Sequence, residues 1–473
     1  MTANAAVRIE HDSLGDMEVP IDAYYGVQTL RAMHNFPISG RGMPAVLIRS
    51  HALLKKCAAE VNADLGLLDK KLADVIVKAA AEVMEGKLSD QFPVDVYQTG
   101  SGTSTNMNLN EVLASRANEL LGGKRGDKKP VHPNDHVNMG QSSNDTIPTS
   151  IHVACIFEIT RVLVPGLKAL ETALAEKSRE LWGVIKTGRT HLQDATPIRL
   201  GQEFHGYRGQ VERSIRRLDS ALKDLSELAI GGTAVGTGIN AHKLFAARMC
   251  ENLSGALGQK VSETSNHFQA QASLDALVMT SGVLKTIAVS LTKIANDIRW
   301  MSCGPRAGFG EIEIPAVQPG SSIMPGKVNP VIAESLLMVC QRVLGSDATI
   351  TAAGMSSAFE LNVAMPVAAA AALEAIALLG HGAKNFANQC VVGIKATKRG
   401  PELVSAGLML ATALAPVIGY EPAADIAKEA AASGKTIAEV AAQKTQLSAD
   451  QLKALLDPEK MVEPSDTILP VSG

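Results

Sequence analysis

The strongest constraint on the fold is a pair of long apolar seams at helical spacing in the middle of the chain. Apolar side chains recur at alternating steps of four and three residues at Val211, Ile215, Leu218, Leu222 and Leu225. A second seam, with steps of three and four residues, runs through Leu284, Ile287, Leu291, Ile294 and Ile298. Because this spacing places side chains on one face of an α-helix, we predict several long helices between about residues 150 and 395.

The segment 366–379, PVAAAAALEAIALL, is apolar nearly all round. A helix of this composition is expected to be buried on every side, which is more burial than a single helical bundle usually provides. We therefore predict that the chain forms an oligomer through its long helices.

The composition is that of a globular protein without a strong overall charge. Of the 473 residues, 46% are hydrophobic and 20% are charged, and the formal net charge is −3. This charge gives no argument for binding nucleic acid or an anionic membrane. An aromatic content of 3% also leaves few stacking surfaces for single-stranded nucleic acid. Any cationic site must therefore be local.

The length of the chain indicates more than one domain. We predict an N-terminal, mixed but mainly helical domain (1–140), a central long-helix bundle (141–395) and a small C-terminal helical domain (396–473). The last domain begins near GIKATKRG, after which short helical patterns such as EPAADIAKEAAASG and SADQLKALLDPEKM replace the long seams.

Cysteine usage and the N-terminal segment predict a cytoplasmic protein. The six cysteines are scattered without a C-x-x-C pair, so we predict no disulfide framework, zinc site or iron–sulfur site. The N-terminal MTANAAVRIEHDSLGDMEVP lacks the apolar core of a signal peptide, and no uninterrupted apolar run reaches about 18 residues. We therefore expect no transmembrane helix.

Residues 304–330, GPRAGFGEIEIPAVQPGSSIMPGKVNP, interrupt the helical pattern with five glycines and five prolines. A loop of this length in a compact domain is usually functional or disordered. Interleaved apolar residues could anchor it, which favours a mobile lid over disorder. One cation, Lys327, lies between two Gly/Pro breaks in this lid.

A second polar segment is QTGSGTSTNMNLNE (98–111), where hydroxyl and amide side chains surround two glycines. Glycines allow backbone N–H groups to converge on an anion, and hydroxyls and amides can donate to it. The alternative is a turn that caps a helix starting near Met107, and taken alone this segment favours the cap.

A third polar segment is VHPNDHVNMGQSSNDTIPT (131–149). QSSND precedes a helix predicted from about residue 150, so its hydroxyls could either bind a carboxylate at the helix N-terminus or cap the helix. His132 and His136 have the spacing of helical metal ligands. However, Pro133 lies between them and no carboxylate-bearing motif follows, so a metal site is weakly supported.

The fourth segment is GRTHLQDATPIRLGQEF (188–204), in which His191 lies between predicted helices. A lone histidine is more often structural than catalytic. This one has no apolar face to belong to, which favours an acid–base role.

Together the four segments provide neutral hydrogen-bond donors and one or two cations, Lys327 and Arg306. No nucleotide fingerprint accompanies them, because GTAVGTG (232–238) lacks the lysine and the strand of a phosphate-binding loop. The combination favours a small polyanion such as a dicarboxylate.

The polar segments resemble the motifs of one enzyme family. GSSIMPGKVNP (320–330) resembles the signature of the fumarase/aspartase superfamily. QTGSGTSTNMNLNE, VHPNDHVNMGQSSND, GRTHLQDATP and GGTAVGTGIN resemble the class II fumarase forms of its other motifs. The resemblance implies a mostly α, three-domain fumarase/aspartase-type fold whose central bundles combine into a twenty-helix tetramer core. It also implies a homotetramer with each active site shared by three subunits, and a hydro-lyase of the tricarboxylic acid cycle without cofactor or metal.

The implied reaction is reversible anti addition of water to fumarate, giving L-malate. In the reverse direction a base removes the C3 proton of malate, and the aci-carboxylate intermediate then expels hydroxide with help from an acid. By matching position, Ser321 would be the base, helped by loop amides and by Lys327. Lys327 and Asn329 would bind the carboxylate whose charge grows. His191, with a water, would be the acid, tuned by Glu334.

The resemblance also implies residues that bind the substrate and a second anion. Further hydrogen bonds to the substrate would come from Ser101, Gly102, Thr103, Ser142, Ser143, Asn144, Thr190 and Ser322. A secondary anion site near the active-site entrance is matched by His132, Pro133, Asn134 and Asp135.

The main alternative is aspartate ammonia-lyase, which has the same fold and releases ammonia from L-aspartate. Aspartases typically have GGAGTS and QSTND where this chain has TGSGTS and QSSND, and they usually lack HPND. DAYYGVQTLRAMHNF and DQFPVDVYQ look more like aspartases, and ELNVAMP matches neither enzyme cleanly. Residues that line the site carry more weight than scaffold residues, so fumarase is favoured.

A remote alternative is a non-catalytic structural relative, comparable to the lens crystallins derived from argininosuccinate lyase. Such a protein would be free to lose Ser321, His191 or Lys327. All three are present, which disfavours this alternative.

Overall fold

The computed structural model describes residues 6–464, and about 61% of the structure is helical. This confirms the predicted mostly α fold class. The α-helices are α1 (Val27–Asn35), α2 (Ala45–Asp64), α3 (Lys70–Met84), α4 (Thr103–Leu120), α5 (Ser143–Glu158), α6 (Val164–Glu180), α7 (Leu200–Leu225), α8 (Phe245–Leu257), α9 (His267–Ala272), α10 (Asp275–Ser302), α11 (Val331–Gly354), α12 (Met365–Gln389), α13 (Arg399–Ser405), α14 (Ala415–Ile418), α15 (Tyr420–Ser433), α16 (Ile437–Lys444) and α17 (Ala449–Leu455).

The strands form two-stranded ribbons between the helices. The ribbons are β1 (Val7–Asp12) with β2 (Gly15–Pro20), β3 (Ile185–Thr190) with β4 (Gln193–Arg199), β5 (Glu227–Leu228) with β6 (Ser262–Glu263), β7 (Ile312–Glu313) with β10 (Lys395–Ala396), and β8 (Ser357–Ala358) with β9 (Leu361–Asn362). The β5–β6 pair is parallel and the other four are antiparallel. Two π-helical turns lie at Pro133–Val137 and Ile159–Leu163.

The chain divides into two compact units, which are described separately. Unit 1 comprises Met1–Pro165, Arg216–Ala288 and Gln341–Gly380. Unit 2 comprises Gly166–Ile215, Val289–Cys340 and His381–Gly473. The division into three domains at residues 140 and 395 stays a prediction.

In unit 1, a core lies between α2, α3 and α4. Its buried members include Ile48, Ala52, Ala59, Ile76, Ala80, Val83, Leu109, Val112 and Leu113. Alanines at these contacts let neighbouring helices pack closely.

The first turn of α1 is capped from another helix, because its own N-cap residue, Gly26, has no side chain to do so. Glu111 of α4 accepts hydrogen bonds from the backbone N–H groups of Gly26 (2.9 Å), Gln28 (2.9 Å) and Thr29 (3.1 Å). It also accepts one from the Thr29 hydroxyl (2.6 Å). A carboxylate at a helix N-terminus satisfies unpaired N–H groups and interacts favourably with the helix dipole. Glu111 therefore fastens α1 to α4.

In unit 2, the residues after Gly407 form a small core of their own. Its buried members include Leu410, Leu414, Ile426, Ile437, Val440 and Leu452. Capping boxes at Thr436 and Ser448 start α16 and α17. The short helices predicted from EPAADIAKEAAASG and SADQLKALLDPEKM are confirmed as α15 and α17.

Both apolar seams lie on long helices, as predicted: the first on α7 and the second on α10. The apolar segment 366–379 lies on α12, and none of its residues is exposed. Val367, Ala370, Glu374 and Ala377 nevertheless form a half-buried stripe along this helix. In the single chain, α12 is therefore not buried on every side.

Two helices begin earlier than the sequence indicated. α4 begins at Thr103 rather than near Met107, and α5 begins at Ser143 rather than near residue 150. The reason is that the N-cap positions, Gly102 and Ser142, lie inside the polar segments themselves. The segments that looked like connections are thus largely helical first turns.

Two helical spans are long and apolar enough to cross a membrane by length and composition alone. They are Asp275–Met301 and Met365–Gly393, each with a mean hydropathy of 1.4. In the structure, 44% and 61% of their most apolar stretches are buried. Core helices of soluble proteins meet the same criterion, so these spans give only weak support for a membrane location.

Glu111→Ala should destabilise the protein, because it leaves the three N–H groups of the α1 start without an acceptor in a buried setting. The free energy of unfolding is expected to fall by about 3 kcal/mol. Urea unfolding would measure the change. Glu85→Ala, which removes an exposed carboxylate paired with Lys87, is the control and should change little. Equal effects of the two substitutions would contradict the capping role.

Candidate active site

A cluster of hydroxyls in unit 1 forms where the first turns of α4 and α5 meet. The Ser101 hydroxyl lies 2.8 Å from that of Thr103, which lies 2.6 Å from that of Ser143. Thr103 is the first residue of α4 and Ser143 the first residue of α5. Helix N-termini carry partial positive charge, so this hydroxyl cluster (Ser101, Thr103 and Ser143) suits a carboxylate ligand.

The start of α5 is held by Asp145, which is fully buried. Its Oδ1 accepts a hydrogen bond from the Ser142 N–H (2.9 Å), and its Oδ2 accepts from the N–H groups of Gly231 and Thr233 (3.0 Å each). Burial raises the pKa of Asp145, and these three hydrogen bonds oppose that shift. The GGTAVGTGIN segment is therefore attached directly to the start of α5.

Ser142 and Asn144 both have structural hydrogen bonds in the chain. The Ser142 hydroxyl accepts from the Asn144 N–H (3.2 Å), and the Asn144 side-chain amide donates to the Ala234 carbonyl (2.8 Å). The helix-capping interpretation of QSSND is therefore correct. An additional contact with substrate stays a prediction.

The HPND segment forms the π-helical turn Pro133–Val137, which His132 caps. Its Nδ1 accepts hydrogen bonds from the N–H groups of Asn134 (3.3 Å) and Asp135 (3.2 Å). The His132 N–H in turn donates to Nδ1 of His136 (2.8 Å). These contacts explain the histidine spacing without a metal. Within residues 6–464, no group of three or more His, Cys, Asp or Glu is placed to hold a metal ion.

One cavity of unit 1 contains members of both predicted binding sets. Thr103, Ser142 and Ser143 line it together with Asn134 and Asp135. Its remaining polar lining includes Asn106, Gln141, Asn138, Thr233 and Asn240. The secondary anion site stays a prediction, but its polar residues share a cavity with the hydroxyl cluster.

In unit 2, Thr190 and His191 lie at the tip of the β3–β4 hairpin rather than in a connection between helices. Thr190 pairs with Gln193, and the two turn residues, His191 and Leu192, have φ angles of 56° and 60°. Two-residue turns with positive φ normally contain Asn or Gly, so the sequence His-Leu gave no hairpin signal. Non-glycine residues held in this region are strained and concentrate at functional sites.

A buried ion cluster fastens this hairpin to the first part of the loop 304–330, which is called the signature loop below. Arg189 donates two hydrogen bonds to Glu311, each 2.9 Å. Lys186 Nζ lies 2.9 Å from Glu203 Oε1 and 3.3 Å from Glu311 Oε2. The side chains of Lys186 and Glu311 are only 2% and 1% exposed, and burial raises the pKa of Glu203.

Sequence reasoning missed this buried ion cluster (Lys186, Arg189, Glu203 and Glu311). Its members come from two segments more than 100 positions apart, and no periodic pattern connects them. The sequence signal that could have indicated it was Glu311, a charged residue inside the glycine- and proline-rich loop 304–330.

Ser321 occupies a tight turn of the signature loop. Its Oγ accepts hydrogen bonds from the N–H groups of Met324 (2.9 Å) and Ile323 (3.3 Å). Two donors on one hydroxyl oxygen stabilise negative charge there, which lowers the cost of removing its proton.

Within the signature loop, residues 320–330 are closed by hydrogen bonds between their first and last positions. The Gly320 N–H donates to the Lys327 carbonyl (2.8 Å), and the Asn329 side-chain amide donates to the Gly320 carbonyl. Apart from β7, residues 304–330 contain no helix or strand, as predicted. The side chains of Ser322 and Lys327 are exposed, and whether the loop acts as a lid stays a prediction.

A cavity of unit 2 collects part of the predicted catalytic set. Lys327, Asn329 and Glu334 line it, whereas Ser321 and His191 do not. In the part of the chain that the structure describes, no hydrogen bond or ion pair joins His191 to Glu334. The pairing of these two residues stays a prediction.

Comparison with known proteins gives matches over nearly the whole chain. A lyase family model matches residues 15–345, and a model of the fumarase C C-terminus matches residues 410–463. The chain is 52% identical over 464 residues to fumarate hydratase class II 2 of Bradyrhizobium diazoefficiens, covering 98% of both proteins. It is 51% identical over 467 residues to the mitochondrial fumarate hydratase of Danio rerio, covering 98% of this chain and 92% of that protein.

The structure agrees with these matches. It is similar to the crystal structure of recombinant class II fumarase from Schistosoma mansoni, with a TM-score of 0.94 and 40% sequence identity. The alignment covers 96% of this chain and 99% of the other.

Gly100→Ala should displace the turn that precedes the hydroxyl cluster. A Cβ at Gly100 would lie 1.8 Å from the Val363 carbonyl oxygen, while the Gly100 carbonyl accepts a hydrogen bond from Met365 N–H (2.9 Å). Because backbone must move, the free energy of unfolding is expected to fall by about 2 kcal/mol. Binding of succinate, a small dicarboxylate, should weaken in parallel when measured by calorimetry.

Gly255→Ala is the matched control for Gly100→Ala. A Cβ at Gly255, inside α8, would meet nothing within 4 Å, so alanine should stabilise that helix slightly. If both substitutions left stability and succinate binding unchanged, the close contact at Gly100 would not control the cluster.

Proposed function

Because the chain belongs to the class II fumarate hydratase family of lyases, we propose that it catalyses reversible anti addition of water to fumarate, giving L-malate. The observation that carries this proposal is the full-length match to proteins of that name, together with hydroxyls at two helix starts. The substrate would be a small dicarboxylate, for which neutral donors and one loop cation are suited.

The chemical difficulty is the low acidity of the C3 proton of malate. Its removal places a second negative charge on the neighbouring carboxylate, so catalysis requires groups that stabilise that charge more strongly in the transition state than in the substrate. Lys327 would provide the charge and Asn329 a hydrogen bond. Lys327 forms no ion pair with any residue in 6–464, which leaves its charge available for a substrate.

Ser321 is the proposed base. A serine hydroxyl is normally too weak a base for this proton, and needs strong electrostatic activation. The hydrogen bonds from the N–H groups of Ile323 and Met324 supply part of this activation, since both donors point at the oxygen that would carry the charge.

His191 is the proposed acid, acting through a water on the departing hydroxide, with Glu334 adjusting its protonation. The strained hairpin tip supports this role, because the turn holds the imidazole at a defined apex instead of burying it in the core. Thr190, on the same apex, would contribute a hydrogen bond to the substrate.

Substrate binding is assigned to the hydroxyl cluster and to further residues that match the family motifs by position. These residues would direct hydrogen bonds to the carboxylates without adding charge. Together with the charged Lys327, the full substrate-binding set comprises Ser101, Gly102, Thr103, Ser142, Ser143, Asn144, Thr190, Ser322 and Asn329, and the secondary anion site comprises His132, Pro133, Asn134 and Asp135.

A homotetramer with each active site shared by three subunits is part of the proposal. Long helices that should be internal expose apolar side chains in the single chain, including Val289 of α10 (58%) and Met338 of α11 (63%). Such surfaces usually lie in protein interfaces. The cytoplasmic location and the lack of a required metal also stay predictions.

A direct assay separates the candidate functions. Purified protein given L-malate in the presence of a metal chelator should form fumarate, followed by its ultraviolet absorbance, and should release no ammonia from L-aspartate. Ammonia from aspartate with malate untouched would identify an aspartase instead. Inactivity toward both substrates would favour a non-catalytic relative.

Ser321→Ala should lower kcat by about 10²- to 10⁴-fold, because general-base catalysis at the C3 proton is lost. Its thermal unfolding midpoint should change little, since the hydrogen bonds of the Ser321 side chain within the described part of the chain stay inside its own turn. Ser322→Ala in the same loop is the control and should act mainly on KM. Near-normal turnover of Ser321→Ala would exclude Ser321 as the base.

A further inference from the structure

Lys55 is a fully buried cation that lies one hydrogen bond from the unit 1 cavity. It is on α2 and is 0% exposed. Its Nζ donates to Asn138 Oδ1 (2.8 Å) and to Gln141 Oε1 (3.0 Å), and both of these residues line the cavity. Among residues 6–464, no carboxylate forms an ion pair with Lys55. The chain therefore surrounds this ammonium group with neutral oxygen atoms.

The acid whose charge acts on Lys55 is Asp145, which forms no ion pair with it among residues 6–464. Asp145 raises the proton affinity of Lys55, but both Asp145 oxygens accept backbone N–H groups at the start of α5 and in the GGTAVGTGIN segment. Burial has the larger effect and lowers the pKa of Lys55 to about 7. An incompletely balanced buried charge costs several kcal/mol, so its presence in the fold requires an explanation.

The histidine closest to Lys55 along α2, His51, is neutral and does not share its charge. His51, one turn earlier on α2, has Nε2 3.0 Å from Asn106 Oδ1 and Nδ1 2.6 Å from the Ser150 hydroxyl. Burial, and then the charge of Lys55, lower the pKa of His51 to about 3, so it is neutral at physiological pH. Its Nε2–H therefore donates to Asn106.

The amides of the cavity are oriented from both sides. Asn106 accepts a hydrogen bond from His51, and its Nδ2 donates to Asn138 Oδ1 (3.2 Å). The same Asn138 oxygen accepts from Lys55. Asn138 donates its own amide to the Gln141 carbonyl (3.1 Å). The polar lining next to the hydroxyl cluster is thus set by one neutral imidazole and one ammonium group.

We propose that Lys55 is a positioning residue for the dicarboxylate, which orients Asn138 and Gln141 and whose positive charge is balanced by a substrate carboxylate at the hydroxyl cluster. This inference rests on the proposed function, because it takes the ligand of the cavity to be a dianion. The charge acts across one layer of amides, where the low dielectric of the interior weakens it less than water would.

Binding should then be coupled to protonation of Lys55. With a pKa of about 7, Lys55 of the free protein is mostly neutral above pH 7, and a bound dianion favours the charged form, so binding takes up a proton. The KM for fumarate should therefore be lowest below pH 7 and rise above it. His51 stays neutral throughout, Asp145 acts from α5, and Asp135 faces the same cavity from the π-helical turn.

Lys55→Met tests the proposal, because methionine keeps the length of the side chain and removes the charge. The KM for fumarate and the Kd for succinate should rise about tenfold or more. The change in kcat should be small, and the increase of KM above pH 7 should disappear. Lys56→Met, which removes the neighbouring lysine paired with Glu60 on the surface, is the matched control and should match the wild type.

A purely structural lysine gives a different result. In that case Lys55→Met would lower the thermal unfolding midpoint and leave KM, succinate affinity and their pH dependence unchanged, which would overturn the proposal. If the variant does not fold, succinate binding to the wild-type protein decides. Calorimetry at pH 7.5 in two buffers of different ionisation enthalpy should show proton uptake, and its absence would also overturn the proposal.

The two proposals can fail separately. A wild-type protein inactive on malate would refute the hydratase assignment, whatever succinate does. A wild-type hydratase whose KM is insensitive to Lys55→Met would keep the proposed function and remove only this role.

Discussion

The polar surface of unit 1 depends on the carboxylate of Asp145. This side chain is fully buried and accepts hydrogen bonds from three backbone N–H groups, one at the start of α5 and two in the GGTAVGTGIN segment. Burying a carboxylate is unfavourable unless such donors satisfy it, and here the same bonds fix where α5 begins. That start determines where Ser143 meets Thr103, and hence where a ligand could receive hydrogen bonds. Asp145 and Lys55 form no ion pair among residues 6–464, although the charge of Asp145 acts on Lys55.

Two fully buried lysines show how differently the units treat a charge. In unit 2, Lys186 lies within 3.3 Å of two carboxylates, which also hold the hairpin and the start of the signature loop. In unit 1, the partners of Lys55 among residues 6–464 are the amide oxygens of Asn138 and Gln141. A buried pair with good geometry compensates its own desolvation, whereas a buried cation among amides does not. Lys186 is therefore explained by contacts within the fold, whereas Lys55 is not, which is the observation behind its proposed role.

The long helices could be predicted because their apolar seams repeat at a fixed period over many residues, as in α7 and α10. The polar segments could be found because they interrupt that period, and their resemblance to family motifs indicated their chemistry. The starts of α4 and α5 were misplaced because hydroxyl and glycine residues serve equally as loop, cap and ligand. The hairpin tip was missed because His191 and Leu192 adopt a conformation that their residue types disfavour. The contacts of Glu311 and Lys55 join distant segments, and only the tertiary structure reveals them.

The roles proposed for these residues also bear on whether the enzyme releases water from malate or ammonia from aspartate. An ammonium leaving group departs as neutral ammonia and needs no proton from the enzyme. Hydroxide is a much poorer leaving group, so a hydratase requires an acid positioned to protonate it. The hydroxyl cluster is proposed to bind the carboxylates, which both substrates share, so it does not distinguish the two leaving groups. His191 is the residue proposed to act on the leaving group. The strained turn holds its imidazole at an exposed apex next to Thr190. Strain of this kind persists only where the rest of the fold imposes it, and here the Arg189–Glu311 pair anchors the strand directly below the apex. The geometry of the hairpin therefore supports the proposed acid role of His191, which would protonate the hydroxide that leaves malate.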